Sequence, residues 1–272
     1  MDTMLVFDRA AVRRHRDRAA ATIGSVEDLL RDGAERLLDR LDDMTGLFGR
    51  ALDIGGRGVV APLLRARGIT VVSTDLSLPM ARLSDRPVVA DEEFLPFAEA
   101  SFDLVVASLS LHWINDLPGA LIQLRRTLKP DGLFLASMPA LGSLAELRTA
   151  LTEAELAFSG GASPRVSPFP DVPDCAGLLQ RAGFSAPVVD VEEIVVRYAE
   201  PLQLLRDLRK AGETNAVRTR SRNVPPSALF PAALARMQGE DGRVPVTMRL
   251  AMMTGWVPAT SASPEKISPS DR

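Results

Sequence analysis

The chain has 272 residues, 46% hydrophobic and 25% charged, which suits one core-bearing domain with a small addition, and its net charge of −3 argues against a nucleic-acid binder. One cysteine, Cys175, excludes an intrachain disulfide and leaves cytoplasmic residence unopposed; in its helical context it reads as a small core residue. Two histidines, His15 and His112, cannot build a histidine-rich metal site, and no apolar run approaches the roughly 18 residues of a membrane span.

The N-terminus reads as a basic helix carrying Arg9, Arg13, Arg14, Arg16 and Arg18. Asp2, Asp8 and Asp17 are interleaved, unlike a transit peptide, so packing on the domain or a partner is expected ahead of contact with a membrane surface. This helical region covers residues 1–49. From Arg50 short apolar runs alternate with helical stretches, the pattern of βαβ units and a parallel sheet. Arg50 to Gly55 is the first strand, followed by a helix from Val59 to Arg67. Thr70 to Asp75 is the second strand, Pro87 to Asp91 a short third, Phe102 to Ser110 the fourth and Leu133 to Met138 the fifth. Asp116 to Leu128 has a helical period, and Lys129-Pro130-Asp131-Gly132 reads as a turn. Beyond it come a helix from Leu144 to Phe158, a Gly/Pro-rich loop, and a helix from Asp174 to Ala182 capped by Gly183. Val188 to Tyr198 and Val244 to Val257 are the last strands, with helices at Pro201 to Ala211 and Pro226 to Met237 between them. The Pro/Ser-rich tail, 259–272, is expected to be disordered, and there are no internal repeats. The fold class is therefore α/β: a Rossmann-like, mostly parallel, seven-stranded sheet over residues 50–258, with helices on both faces.

The first strand runs into Asp53-Ile54-Gly55-Gly56-Arg57-Gly58, where glycines allow a tight turn that brings backbone N–H groups against a ligand. Asp75, with Leu76 beside it, lies 22 residues after Asp53, where an acid can accept from ribose hydroxyls. Asp91-Glu92 ends the third strand, where an acid can meet an adenine amino group. Singly, each reads as well as a turn, a cap or a solvated carboxylate; at three successive strand ends they point to a nucleoside cofactor. The loop lacks the G-x-G-x-x-G that a pyrophosphate needs, which favours S-adenosylmethionine over NAD. Ser108 to Trp113 leaves the fourth strand at the carboxyl edge. There His112 is a candidate general base and Trp113 a wall for a cationic or flat group. The alternatives stay open: Trp113 packed under the following helix, and His112 bonded to a loop carbonyl. The spacing offers no metal site, and Asp91-Glu92-Glu93 reads as a solvated acidic loop.

Ala51 to Arg65 (ALDIGGRGVVAPLLR), Ala90 to Phe97 (ADEEFLPF), Phe102 to Leu117 (FDLVVASLSLHWINDL) and Leu128 to Gly132 (LKPDG) resemble class I S-adenosylmethionine-dependent methyltransferases. Within that superfamily the chain resembles the assembly factor 5 family of respiratory complex I. Val6 to Arg9, Ser163 to Phe169, Gly183-Phe184, Gly212 to Asn215 and Thr254 to Trp256 extend the likeness over nearly the whole chain. The resemblance implies a methyltransferase fold that binds S-adenosylmethionine through Asp53, Gly55, Gly56, Gly58, Asp75, Leu76, Asp91, Glu92 and Ser108. It also implies hydroxylation of an arginine on a complex I subunit, a protein partner met at the inner face of a bacterial respiratory membrane. Glu213, in the segment where the superfamily builds its substrate lid, is the candidate contact for that arginine, with a solvated helix-end carboxylate as the plainer alternative. Hydroxylation needs an oxidant that the residues do not reveal. The related malonyl-carrier-protein O-methyltransferases supply a second reading, in which Arg206, Arg209 and Lys210 would attract an acidic carrier. A non-catalytic scaffold is the third. The usual family loop, Asp-x-Gly-x-Gly-x-Gly, is one residue shorter here and has Arg57 where a glycine is expected, which predicts crowding about the methionine moiety.

Overall fold

Seven apolar runs become seven strands of one sheet: β1 (Arg50–Ile54), β2 (Thr70–Asp75), β3 (Pro87–Val89), β4 (Phe102–Ser108), β5 (Leu128–Pro139), β6 (Ser185–Tyr198) and β7 (Val244–Trp256). The structure is a computed structural model describing residues 5–44, 46–239 and 241–259; the polar tail expected to be disordered lies outside these from residue 260 onward. The strand order is β3-β2-β1-β4-β5-β7-β6, and β7 alone runs antiparallel to its neighbours. The order reverses between β1 and β4, so the crevice for a ligand opens over the carboxyl ends of those two strands.

A parallel sheet must be covered on both faces, which explains the nearly unbroken apolar central strands. Leu52, Ile54, Leu104, Val105, Val106, Phe134 and Leu135 are wholly buried. One face packs on α5 (Leu117–Thr127) and α7 (Val172–Ala182), with Leu121, Leu124, Leu179 and Cys175 in the contact. The other packs on α2 (Glu27–Leu38) and α3 (Val60–Ala66) through Leu37, Leu38 and Leu64. Asp116 caps α5 by accepting from the Gly119 N–H at 2.9 Å, and Gly183 ends α7 at φ 86°, a left-handed cap that suits glycine. A further cluster joins α6 (Ala145–Ser159), α8 (Pro201–Lys210), α9 (Leu229–Arg236) and the start of β7. The N-terminal helix α1 (Arg9–Ala19) lies across the sheet's carboxyl edge against α4 (Leu78–Ala81) and α8. No helix among the described residues is long and apolar enough to cross a membrane.

The expected turn at Lys129 to Gly132 lies inside β5. Phe102 pairs with Leu128 and Leu104 with Leu133, so those four residues bulge out with Asp131 at φ 59°. β3 stops at Val89, two residues short of expectation, which leaves Asp91 on the loop beyond it. β6 starts earlier than read, at Ser185, because its first residues pair across a register shift with the end of β7.

Candidate active site at the strand ends

The shortened glycine turn closes directly on the strand that feeds it. Gly55 and Gly58 have φ of 63° and 79°, and Arg57 between them has φ 51°. A Cβ on Gly56 would fall 2.1 Å from Asp53 Oδ1, so only glycine fits there. Asp53 is fully buried and accepts from Ser73 Oγ at 3.1 Å; burial pushes its carboxyl up to about 7. Ser108 is buried behind the turn beside Gly56 and Arg57. Arg57 turns its guanidinium inward, donating through Nη2 to the Leu109 carbonyl at 2.7 Å and to Glu213.

The acids at the ends of β2 and β3 are engaged by α1. Asp75 accepts the Ser77 N–H at 2.8 Å on one oxygen and Arg16 Nη1 at 3.0 Å on the other. Arg16 Nη1 also lies 3.3 Å from Glu92, and Arg9 bonds Glu92 and, at 2.6 Å, Asp91. The acidic loop is therefore not solvated as expected, because Glu92 is 1% exposed and held between the two arginines. Burial raises the Asp75 carboxyl and the neighbouring Glu92 adds to the rise, while Arg16 counters them. Arg16, itself 1% exposed, is the cation whose removal would strand the buried Asp75 and leave Glu92 with Arg9 alone, a change of the kind that costs about 3–5 kcal/mol. The residues match a nucleoside chemically, but Arg16 stands among them: its Nη1 is 3.0 Å from Asp75 and would lie 3.1 Å from a Cβ on Gly55. Leu76 packs in the small cluster of Phe7, Val12, Trp113 and Val217 beside α1.

Beyond Arg57 the crevice opens into a cavity of about 210 Å³ whose walls include Leu147, Val166, Phe169, Tyr198 and Met248. Its polar end is built around Glu213. One carboxylate oxygen accepts from Trp113 Nε1 at 2.7 Å and pairs with His112 Nε2 at 2.8 Å, and the other takes Arg57. Burial opposes the charge, but His112 and Arg57 hold the Glu213 carboxyl well below the usual range. Glu213 thus holds the imidazole through Nε2. His112 Nδ1 is buried and without a hydrogen-bond partner among the described residues. Trp113 is 3% exposed, pinned edge-on by Phe7 at 5.3 Å, and it both packs beneath the chain leading into α1 and lines the cavity.

The structure thus brings His112, Trp113 and Glu213 together, with Glu213 turned to three donors of its own chain rather than to open space. It gathers Asp75, Asp91 and Glu92 separately under α1. Sequence reasoning missed Arg9 and Arg16 as members of the site, and it set Arg57 against the methionine moiety without its bond to Glu213. A signal for Arg16 existed: at helical spacing it shares a face with the buried Val12 and Ala19, an odd place for a solvated arginine.

Comparison with known proteins bears on this geometry. A family model described as "Methyltransferase domain" matches residues 52–136. A protein of Danio rerio named arginine-hydroxylase NDUFAF5, mitochondrial, is 43% identical over 97% of this chain and 86% of its own length. A malonyl-[acyl-carrier protein] O-methyltransferase of a Methylovorus species is 34% identical over 97% of this chain and 94% of its own. Among solved structures, a phosphoethanolamine N-methyltransferase of Haemonchus contortus superposes with a TM-score of 0.56 at 18% identity, covering 91% of this chain and 60% of that one. That likeness concerns the fold.

Proposed function

The chain belongs to the methyltransferase-fold family that includes the NDUFAF5 arginine hydroxylases, and from that membership we propose that it is an enzyme hydroxylating an arginine of a respiratory complex I subunit during assembly. The observation that carries the reading is the polar end of the cavity, where Glu213 holds His112 through Nε2 and Nδ1 is buried without a hydrogen-bond partner among the described residues. An arginine side chain suits such a space: its methylene stem lies along the apolar walls while a guanidinium N–H donates to His112 Nδ1. Asp207 lines the same cavity and supplies a countercharge. Tyr198 nearby stays protonated, since burial and Asp207 push it up to about 12. His112 and Asp207 bind and orient; the oxidant comes from elsewhere.

In this reading Asp53, Gly55, Gly56, Gly58, Asp75, Leu76, Asp91, Glu92 and Ser108 form the S-adenosylmethionine subsite, which the methyltransferase relatives support, and it needs α1 to make room. Residues 1–49 act as its cover and 50–258 as the body. The protein would work in the cytoplasm at the inner face of the respiratory membrane. Mass spectrometry of complex I subunits from a parent strain and one lacking this gene tests the proposal. Loss of one oxygen's mass from an arginine peptide is the expected result, and unchanged subunits in a normally assembled complex would refute it.

A second reading, O-methylation of a malonylated carrier protein, is favoured by the Methylovorus relative and by Arg206 and Arg209, which stand exposed on α8 without ion-pair partners among the described residues. Transfer of labelled methyl to a malonylated carrier is the result that reading requires.

A further inference from the structure

A nucleoside would need Asp75, Asp91 and Glu92, and each already accepts from a guanidinium of α1. Arg9 and Arg16 are seven residues apart, so two helical turns set their backbones about 10 Å apart along one axis, and their side chains converge on Glu92. That spacing carries one cation to the end of β2 and the other to the loop after β3. Each guanidinium offers its carboxylates what the ligand would offer: N–H donors in place of a ribose diol at Asp75 and of an adenine amino group at Asp91.

The hold of α1 is electrostatic more than apolar. Its buried apolar residues are small: Ala11, Val12 and Ala19. Meanwhile Arg16 Nη2 and Arg9 Nε are buried with no hydrogen-bond partner among the described residues, so the arginines fill the subsite without using all their donors. The chain entering α1 is tied to the segment that carries Glu213. Phe7 bridges to Val217, Asp8 N–H donates to the Ala216 carbonyl at 2.8 Å, and Asp8 pairs with Arg220.

We propose that α1 is an internal surrogate for the nucleoside: S-adenosylmethionine enters the subsite only as Arg9 and Arg16 leave it, so cofactor binding and α1 release form one linked equilibrium. The link extends to the substrate cavity, because movement of α1 pulls on the 216–220 segment that follows Glu213. The proposal rests on the cofactor reading above and goes beyond it.

Two measurements on the full chain test it, with S-adenosylmethionine as the probe. Hydrogen exchange of the wild-type protein should show the amides of residues 12–19 exchanging faster with ligand than without. Calorimetry should show an Arg9→Met/Arg16→Met variant binding at least about tenfold more tightly than wild type, since the competing cations are gone. If the variant fails to fold, wild-type exchange decides alone. Ligand that slows α1 exchange, or a folded variant that binds equally or more weakly, overturns the surrogate and leaves the cofactor reading standing. Absence of binding to both proteins removes the cofactor reading, and the surrogate with it.

Discussion

On one side of the glycine turn the crevice is closed by charge: Arg9 and Arg16 lie among Asp75, Asp91 and Glu92, and little apolar surface is involved. On the other side it is open and walled by Leu147, Val166, Phe169 and Met248, with one polar cluster at its end. The two halves differ in what can replace their contents. Ion pairs exchange one donor for another, so the charged half can be shut by the chain's own residues and reopened. Apolar walls have no such surrogate, and the cavity stays formed. Arg57 is the divider, with its backbone in the glycine turn and its guanidinium on Glu213.

The comparison can be broken most forcefully at Arg16. Arg16→Met leaves Asp75 and Glu92 buried without their shared cation, and urea denaturation at pH 7 should show a loss of about 3–5 kcal/mol. A loss under about 1 kcal/mol would mean that charge does not hold that half. Glu213→Gln should cost less, about 2–3 kcal/mol, by leaving Arg57 without its carboxylate. The Glu213 carboxyl is held below its ordinary 4.5, so its contribution is complete above that value and lost as pH falls beneath it. The stability gap between wild type and Glu213→Gln should therefore narrow in acid.

Asp53 has the opposite sign. Its carboxyl is raised from 3.8 to about 7, so the fold favours the protonated form and loses stability as pH rises between those values. Asp53→Asn should gain on wild type by on the order of 3–4 kcal/mol between pH 4 and pH 8. An unchanged difference would show the carboxylate to be better satisfied than its burial indicates. The smallest effect belongs to the open half. Tyr198→Phe removes a hydroxyl from a wall that has no other use for it, and should change stability by less than about 0.5 kcal/mol.

The sheet was legible because each strand announces itself: TVVSTD and FDLVVASLS are apolar or β-branched runs of strand length, bounded by turn residues or helical periods. The acids at the strand ends were legible from position alone. Their partners were not, because an arginine on a helix reads as solvated unless a distant carboxylate is known to face it. Arg16 meets Asp75 across 59 residues, and Arg57 meets Glu213 across 156. No period links such pairs. The Lys129 to Gly132 turn was legible as a distortion, but whether it ends a strand or buckles one depends on the register with β4. His112 and Glu213 were each legible as chemistry, while the bond between them, which sets the free nitrogen, depends on where the lid segment folds back.

In the proposed function His112 and Glu213 act on an arginine of a complex I subunit. The most direct test is mass spectrometry of those subunits from the deletion strain complemented by wild type, His112→Ala, Glu213→Gln or Tyr198→Phe. The arginine's extra oxygen is expected with wild type and Tyr198→Phe, and its loss with His112→Ala and Glu213→Gln at equal protein levels. Full restoration by His112→Ala would contradict the proposal.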